Sequence, residues 1–240
     1  MKTLTVNEAE LLAGHFRAKV GLSMSEPVNA KTLIRKLSIL TIYRPLSEES
    51  YGISCKSGSG KMFILVNSNS TRGRQHFTIA HEIYHLFYDE HPVPHMCSGN
   101  ATGEEKNANR FASALLMPKE GILALISKEE IASRMVNLST VLRMEQLFSV
   151  SRNTLLIRLK DIDLISQKHV DELKEYPVKE TARQYGYDLS LYEPGNEGLV
   201  IGDFGEKART LFEQGKISEG HYTELLNMIS DGCTQDKNRP

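Results

Sequence analysis

Two histidines four residues apart constrain this chain more than any other sequence feature. His81 and His85 lie in the segment "FTIAHEIYHLFYDE", whose apolar spacing predicts a helix over 77–88. On a helix, residues four apart point to the same side, about 6 Å apart along the axis. Two imidazoles in this position can hold one metal ion. The alternative is a pair of buried core histidines that bind no ion.

Glu82 directly follows the first histidine. It lies about 100° further around the helix, beside the expected ion rather than in line with the two ligands. A carboxylate in this place suits a general base that acts on a water molecule activated by the metal. A catalytic zinc usually takes three protein ligands and leaves a fourth position open. The fold must therefore bring one more ligand to this helix.

The next predicted helix, over 104–117, offers that ligand. It begins with two acidic residues, Glu104 and Glu105. We prefer Glu105, because Asn109 lies one turn further along the same face, where its amide can orient a histidine ligand or the carboxylate itself. For Glu104 a favourable interaction with the helix dipole is the better explanation.

A longer pattern over residues 77–118 is far more selective than the histidine motif alone. The segments "FTIAHEIYH" and "EEKNANRFASALLMP" resemble the ImmA/IrrE-type zinc metallopeptidase family. The pattern of that family is Phe-Thr-x-Ala-His-Glu-x-x-His, followed by Glu-x-x-Ala-Asn-x-Phe-Ala-x-x-Leu-Leu-Met-Pro. The surrounding short sheet and helices extend the resemblance over residues 5–165.

This resemblance implies a Zn²⁺ ion bound by His81, His85 and Glu105, with Glu82 as the catalytic glutamate. The implied reaction is hydrolysis of a peptide bond, in which zinc activates the water and Glu82 transfers its proton. The resemblance also implies that the substrate is a helix-turn-helix transcriptional repressor. The chain departs from the family pattern at Tyr84, where many members have glycine, and we expect this phenol to crowd or line the site.

A donor to the reacting carbonyl oxygen is also expected close to the metal. The candidates nearby in sequence are Tyr84, Tyr88, His91 and His95, and the sequence does not distinguish among them. His91 and His95 also form a metal-binding set with Cys97, since imidazoles and a thiolate suit zinc. Two prolines interrupt this stretch, so a loop at the border of the cleft is the better explanation.

The remaining pattern predicts an α+β fold. Helices over 7–19 and 29–37 precede three short apolar runs at 37–43, 51–56 and 61–67, which predict a small antiparallel sheet. We expect this sheet to pack on a zincin-like helical core that contains the His-Glu-x-x-His helix, followed by a mostly helical C-terminal region. The predicted units are a metallopeptidase core at 1–130, a helix-turn-helix-like segment at 131–170 and a helical appendage at 171–240.

The segment 142–165 resembles a helix-turn-helix. Between 142 and 160, four basic residues stand against the single acid Glu145, a surplus that can give weak DNA affinity through counterion release. We favour core packing over DNA contact, because the apolar residues follow helical spacing. These residues are Leu147, Val150, Leu155, Leu156 and Leu159.

The appendage contains no catalytic set of residues. Its segment "FGEKARTLFEQGKISEGHYTELLNMI" predicts an amphipathic helical hairpin. Packing on the core is the favoured interpretation, and a module that recognises a partner or substrate is the alternative.

Overall charge and cysteine content narrow the class of protein further. The 29 Lys and Arg nearly cancel the 30 Asp and Glu, so no whole-chain field favours nucleic acid or an anionic membrane. No run is apolar and long enough to span a bilayer, and the start of the sequence lacks the features of a signal peptide. Three widely spaced cysteines do not indicate a disulfide framework. These features predict a cytoplasmic protein that makes no membrane contact.

The sequence thus favours a cytoplasmic, zinc-dependent endopeptidase that acts on one regulatory protein. The alternative is a regulator of a stress response or mobile element that binds protein or DNA and has a structural or vestigial zinc site. Glu82 favours the enzyme, because a structural site has no use for a base.

Overall fold

The computed structural model describes residues 3–89, 95–98 and 103–230. In these ranges the chain forms a five-stranded sheet and twelve α-helices, which confirms the α+β class. The strands are β1 Ile39–Arg44, β2 Ser50–Lys56, β3 Met62–Asn67, β4 His95–Ser98 and β5 Val200–Ile201. The helices of the N-terminal half are α1 Val6–Lys19, α2 Ala30–Lys36, α3 Arg72–Tyr88, α4 Gly103–Leu116 and α5 Lys119–Leu123. Those that follow are α6 Lys128–Ser133, α7 Leu138–Phe148, α8 Arg152–Asp161, α9 Gln167–Lys174, α10 Val178–Gln184, α11 Phe204–Glu213 and α12 Glu219–Ser230.

The sheet is mixed rather than wholly antiparallel. Its strand order is β4-β2-β3-β1-β5, and β1 runs parallel to β3 while the other neighbours are antiparallel. The expected antiparallel pairing holds for β2 and β3 but not for β1, because β1 joins the side of β3 that faces away from β2. A strand pattern does not reveal which strands become neighbours. The stretch that was predicted as a loop supplies β4, and the C-terminal region supplies β5.

One face of the sheet packs against the helices that carry the candidate site. Ile39, Tyr43 and Ile64 alternate along β1 and β3 with more exposed residues and are themselves 2% exposed or less, as expected when one sheet face enters the core. Helix α4 packs along α3 through an apolar stripe whose four residues have no exposed surface. They are Ala108, Phe111, Ala112 and Leu115.

Helix α3 begins at Arg72, five residues before the predicted start. Its cap residue Thr71 makes no side-chain hydrogen bond to the first turn. Instead, the amide of Arg72 donates to the carbonyl of Glu193 at 2.9 Å. The side-chain amide of Gln75 donates to the carbonyls of Ser68, Ser70 and Gly195. Contacts with the C-terminal segment therefore stabilise a first turn whose own sequence supplies no cap.

A single hydrophobic cluster runs across the predicted boundaries near 130 and 170. It contains Phe16 and Ile83 together with Leu155, Leu173 and Ile201. Helices α11 and α12 come after the cluster in sequence and form a hairpin with little buried surface. In the described part of this hairpin, Ala208 is the one buried residue. No helix in the described ranges combines the length and apolar character needed to cross a bilayer.

The helix-turn-helix-like segment is part of this core. Val150, Leu155, Leu156 and Leu159 have no exposed surface, as predicted, but Leu147 is 41% exposed. Helix α7 ends one residue later, at Phe148, and Ser149 turns the chain with a left-handed backbone, φ +53°. Leu147 lies on the outer side of the last turn and is a solvent-exposed exception to the apolar pattern.

Candidate metal centre

Helices α3 and α4 bring two imidazoles and one carboxylate together in the interior. Nε2 of His81 lies 3.0 Å from Nε2 of His85. The Glu105 carboxylate lies 3.2 Å from the first of these nitrogens and 3.4 Å from the second. His81, His85 and Glu105 are exposed by 1%, 6% and 6%. Charged groups are rarely buried so deeply without a compensating ion or ion pair.

The donor set matches a metal site of the catalytic kind. One ligand atom from each of the three side chains lies within 4.8 Å of the others. Among the described residues, this is the one cluster of three His, Cys, Asp or Glu side chains that could hold a metal ion. Two histidines and one glutamate form a three-ligand set that leaves a zinc ion with an open position. Glu104, the other acid at the start of α4, is half-buried and does not belong to the group.

Asn109 lies against the outer nitrogen of the first histidine. Its Oδ1 atom is 2.9 Å from Nδ1 of His81. If Nε2 points to an ion, the proton of the neutral ring must be on Nδ1, so His81 donates this bond to the amide oxygen. The bond holds the ring in the orientation that a ligand needs.

Asp89 lies against the outer nitrogen of the second histidine. A carboxylate oxygen of Asp89 contacts Nδ1 of His85, and both side chains are buried. Asp89 is not among the site residues predicted from the sequence. Its position one turn after His85 was the available signal, because residues four apart share a helix face. Both imidazoles therefore have an acceptor on Nδ1 and direct Nε2 towards Glu105.

Glu82 is completely buried on the side of α3 that faces strand β2. A glycine in that strand makes the close approach of helix and strand compatible with this side chain. A Cβ atom built on Gly52 would lie 3.2 Å from a carboxylate oxygen of Glu82 and 2.5 Å from Cγ2 of Thr78. Gly52 thus fixes the separation between the strand and the helix at the level of the proposed base.

Tyr84 forms part of the aromatic packing beside the ligands. It is 3% exposed, and its ring meets the ring of His85 edge-on, with centroids 5.7 Å apart. It also contacts Tyr88 and Phe111. Burial and the nearby Asp89 raise the pKa of Tyr84, so its phenol is protonated at neutral pH. Tyr88 is half-buried at the end of the same helix.

The remaining candidates lie in or next to the stretch between α3 and α4. His91 lies outside the described residues. For His95 and Cys97 the structure describes the backbone alone, as part of edge strand β4. Cys97 pairs with Gly52 and His95 pairs with Ser54. This register puts the backbone of Cys97 beside Gly52, the glycine that faces Glu82.

Two of the arginines that suggested weak DNA affinity are engaged inside the protein. Arg152 is 3% exposed and donates to Glu145 at 2.6 Å, to Thr181 at 3.1 Å and to a backbone carbonyl. Arg158 is 2% exposed, donates to the carbonyl of Met117 at 3.0 Å and pairs with Glu10. These guanidinium groups cannot reach the phosphates of a duplex.

Comparison with known proteins is consistent with this geometry. A search of curated proteins found no significant match to the chain. A model of a peptidase family, described as the IrrE N-terminal-like domain, matches residues 34–160. The match covers just over half of the chain and includes β1 to β4, both helices of the candidate metal centre and α8 except its last residue. The chain therefore belongs to the IrrE N-terminal-like family of peptidases.

Proposed function

We propose that this protein is a zinc-dependent endopeptidase that acts in the cytoplasm and hydrolyses a peptide bond in a specific regulatory protein. The observation that carries the proposal is the buried convergence of His81, His85 and Glu105, with Glu82 on the same helix as the two histidines. The family resemblance suggests a helix-turn-helix repressor as the substrate class.

The three ligands and the glutamate divide the chemistry between them. A zinc ion bound by the ligands would supply a Lewis acid, which lowers the pKa of a water molecule to about 7 and polarises a peptide carbonyl. The Glu82 carboxylate accepts a proton as the water oxygen forms its bond to the carbonyl carbon. Glu82 then delivers that proton to the amide nitrogen as the carbon–nitrogen bond breaks. The products are one carboxyl group and one amine, and Glu82 returns to its starting state.

The three-ligand set and the burial of Glu82 favour this function over a structural zinc site. Structural sites usually have four protein ligands and no open position. The burial of Arg152 and Arg158 is evidence against the alternative hypothesis, in which the chain regulates transcription by contacting DNA. A regulator that binds another protein without cleaving it requires no base at Glu82.

Zinc content per chain is the first test. We expect about one equivalent of zinc in the wild type and loss of zinc in His85→Ala and Glu105→Gln, since each variant removes one of three ligands. Glu82→Gln is the matched control, because it alters the neighbouring carboxylate and keeps all three ligands. A wild type without zinc, or a Glu105→Gln variant with undiminished affinity, would contradict the proposed ligand set.

Cleavage is tested separately. Wild type and zinc-loaded Glu82→Gln are incubated with extract from cells that lack the protein, and new peptide N-termini are identified by mass spectrometry. We expect a small set of new termini with the wild type and none with the variant. Equal sets of termini in the two samples would rule out Glu82 as the base.

A further inference from the structure

A second site lies behind the helix that carries the metal ligands. A cavity of about 750 Å³, open to solvent, is lined by the start of α2, strand β1, the first half of α3 and the end of α7. Small-molecule sites in proteins typically measure about 300–1,000 Å³. Ile79 lines the cavity from α3 and precedes His81 by two residues, which is about 200° around the helix. The cavity and the metal ligands therefore occupy opposite faces of α3.

The charged side chains around this cavity are cationic. Lys31 and Arg72 line it, and no aspartate or glutamate does. Within the described part of the chain Lys31 has no ion pair. Arg72 interacts with Asp188, which lies outside the lining. Burial lowers the pKa of His76, a third lining residue, so the positive charge of the cavity comes from Lys31 and Arg72.

The phenol hydroxyl of Tyr43 adds a polar group to the wall of the cavity. Tyr43 lines the cavity and is 2% exposed. Among the described residues its phenol has no hydrogen-bond partner, and burial raises its pKa to about 12. The hydroxyl is therefore protonated at neutral pH and can donate a hydrogen bond. An acceptor atom on a ligand in the cavity would give this hydroxyl a hydrogen-bond partner.

Apolar side chains complete the walls. Val28 and Ile79 are buried at 6% and 2% exposure, whereas Leu147 is 41% exposed. Leu147 is the residue whose helical spacing predicted a core position. Its side chain lies at the edge of the cavity, where an apolar ligand would cover it.

We propose that this cavity binds a small organic anion with an apolar body. Its anionic group lies between Lys31 and Arg72, and its body packs against Ile79 and Leu147. An acceptor atom of the ligand accepts a hydrogen bond from the hydroxyl of Tyr43. None of these residues belongs to the metal centre, so the site stands independently of the proposed peptidase activity. A ligand in this place contacts the rear of α3 and the end of α7.

The probe for the test is 8-anilino-1-naphthalenesulfonate, which combines a sulfonate with a flat aromatic body and fluoresces when shielded from water. We expect saturable binding to the folded wild type with about one site per chain. In Lys31→Gln/Arg72→Gln the affinity should fall at least about tenfold, which corresponds to 1.4 kcal/mol. Tyr43→Phe should weaken binding severalfold, because it removes the donor and keeps the ring.

A second cavity provides the matched control. It measures about 620 Å³ between the outer face of the sheet and the α11–α12 hairpin, and Lys61 and Lys207 line it. Lys61→Gln/Lys207→Gln removes the same charge and should leave the affinity unchanged. Since the chain contains no tryptophan, Leu147→Trp adds a single tryptophan, which can be excited selectively, beside the proposed site. Its emission should be quenched by energy transfer to the bound probe.

Two measurements confirm that each variant is folded: the midpoint of unfolding and the near-ultraviolet circular dichroism. The proposal is overturned if binding does not saturate or if Lys31→Gln/Arg72→Gln binds the probe as tightly as the wild type. It is also overturned if the control variant loses as much affinity, since the probe would then occupy the other cavity. Zinc content should be the same in Lys31→Gln/Arg72→Gln and in the wild type, which separates this site from the metal centre.

Discussion

Nδ1 of His81 lies 2.9 Å from Oδ1 of Asn109, so one hydrogen bond joins helix α3 to helix α4 beside the proposed metal ligands. Each helix carries members of the proposed ligand set, and the relative position of the helices determines whether the three ligand atoms converge. Directly after the end of α3, Asp89 contacts Nδ1 of His85 and orients the second imidazole in the same way. Together these contacts hold both imidazoles with Nε2 directed towards Glu105.

Asn109→Ala should weaken zinc binding while all three ligands remain. Loss of a group that orients a ligand typically costs about 10–100-fold in metal affinity. Affinity is measured by competition with a chromophoric chelator. Asn153→Ala changes an exposed asparagine of α8 and should have no effect. Unchanged affinity in Asn109→Ala would show that packing alone orients the His81 ring.

Asp89→Asn should also lower zinc affinity, by about 10–100-fold, because the neutral amide is a weaker acceptor for the imidazole N–H. Asp171→Asn, at an exposed position of α9, is the control for the loss of one negative charge. A similar loss of zinc affinity in both variants would show that the overall charge of the protein, and not the contact with His85, is the cause.

Gly52→Ala should destabilise the fold and disturb the environment of Glu82. The new methyl group would lie 2.5 Å from Cγ2 of Thr78, and overpacking of this kind typically costs about 1–3 kcal/mol. Urea unfolding measures the effect. Gly58→Ala is the control, since a Cβ built there meets nothing within 4 Å. Adding Thr78→Ser removes the opposing methyl and should recover part of the loss; no recovery would mean that this contact is not the cause.

Arg152→Met should lower the free energy of unfolding by about 3–5 kcal/mol, because it leaves the buried Glu145 carboxylate without its cation. The double variant Arg152→Met/Glu145→Leu removes both charges and should recover much of this loss. Lys179→Met breaks the exposed ion pair with Glu193 and should cost at most about 1 kcal/mol. Equal effects at the two sites would contradict the assigned burial of Arg152.

A chain that ends after residue 202 should fold cooperatively, whereas one that ends after residue 170 should not. The shorter chain lacks β5 and the hydroxyl of Tyr192, which donates to Glu145 at 2.6 Å. It also lacks the carbonyl of Glu193, which caps the first turn of α3. Thermal unfolding followed by circular dichroism distinguishes the two chains. Cooperative unfolding of the shorter chain would show that the C-terminal segment is dispensable for the core.

DNA affinity should be weak, with a Kd no tighter than the roughly 10⁻⁴–10⁻⁶ M typical of non-specific binding. Two of the guanidiniums that gave the local basic surplus are buried in the core, so few cations remain to displace counterions. Fluorescence anisotropy of a labelled duplex at two salt concentrations provides the measurement. Submicromolar, sequence-dependent binding at physiological salt would favour the rival regulatory function.

The features that sequence predicts well in this protein are local. The spacing of His81, Glu82 and His85 indicates which side chains share a helix face, because helix geometry relates residues one turn apart. The acid at the start of the following helix could be selected by the same rule, with Asn109 one turn beyond it. Strands β1, β2 and β3 are predicted from short β-branched runs, because β propensity is also a property of the local sequence.

Long-range packing decided the rest. Only the tertiary structure makes β1 a parallel neighbour of β3 and starts α3 at Arg72, because the hydrogen-bond partners come from distant parts of the chain. Arg152 reads as a solvent-exposed cation in sequence, and the fold turns it towards Glu145 and Thr181. The cavity between Lys31, Tyr43 and Leu147 joins three separate elements. Local periodicity determined which faces of the helices are apolar, and the packing of those faces determined which polar groups they enclose.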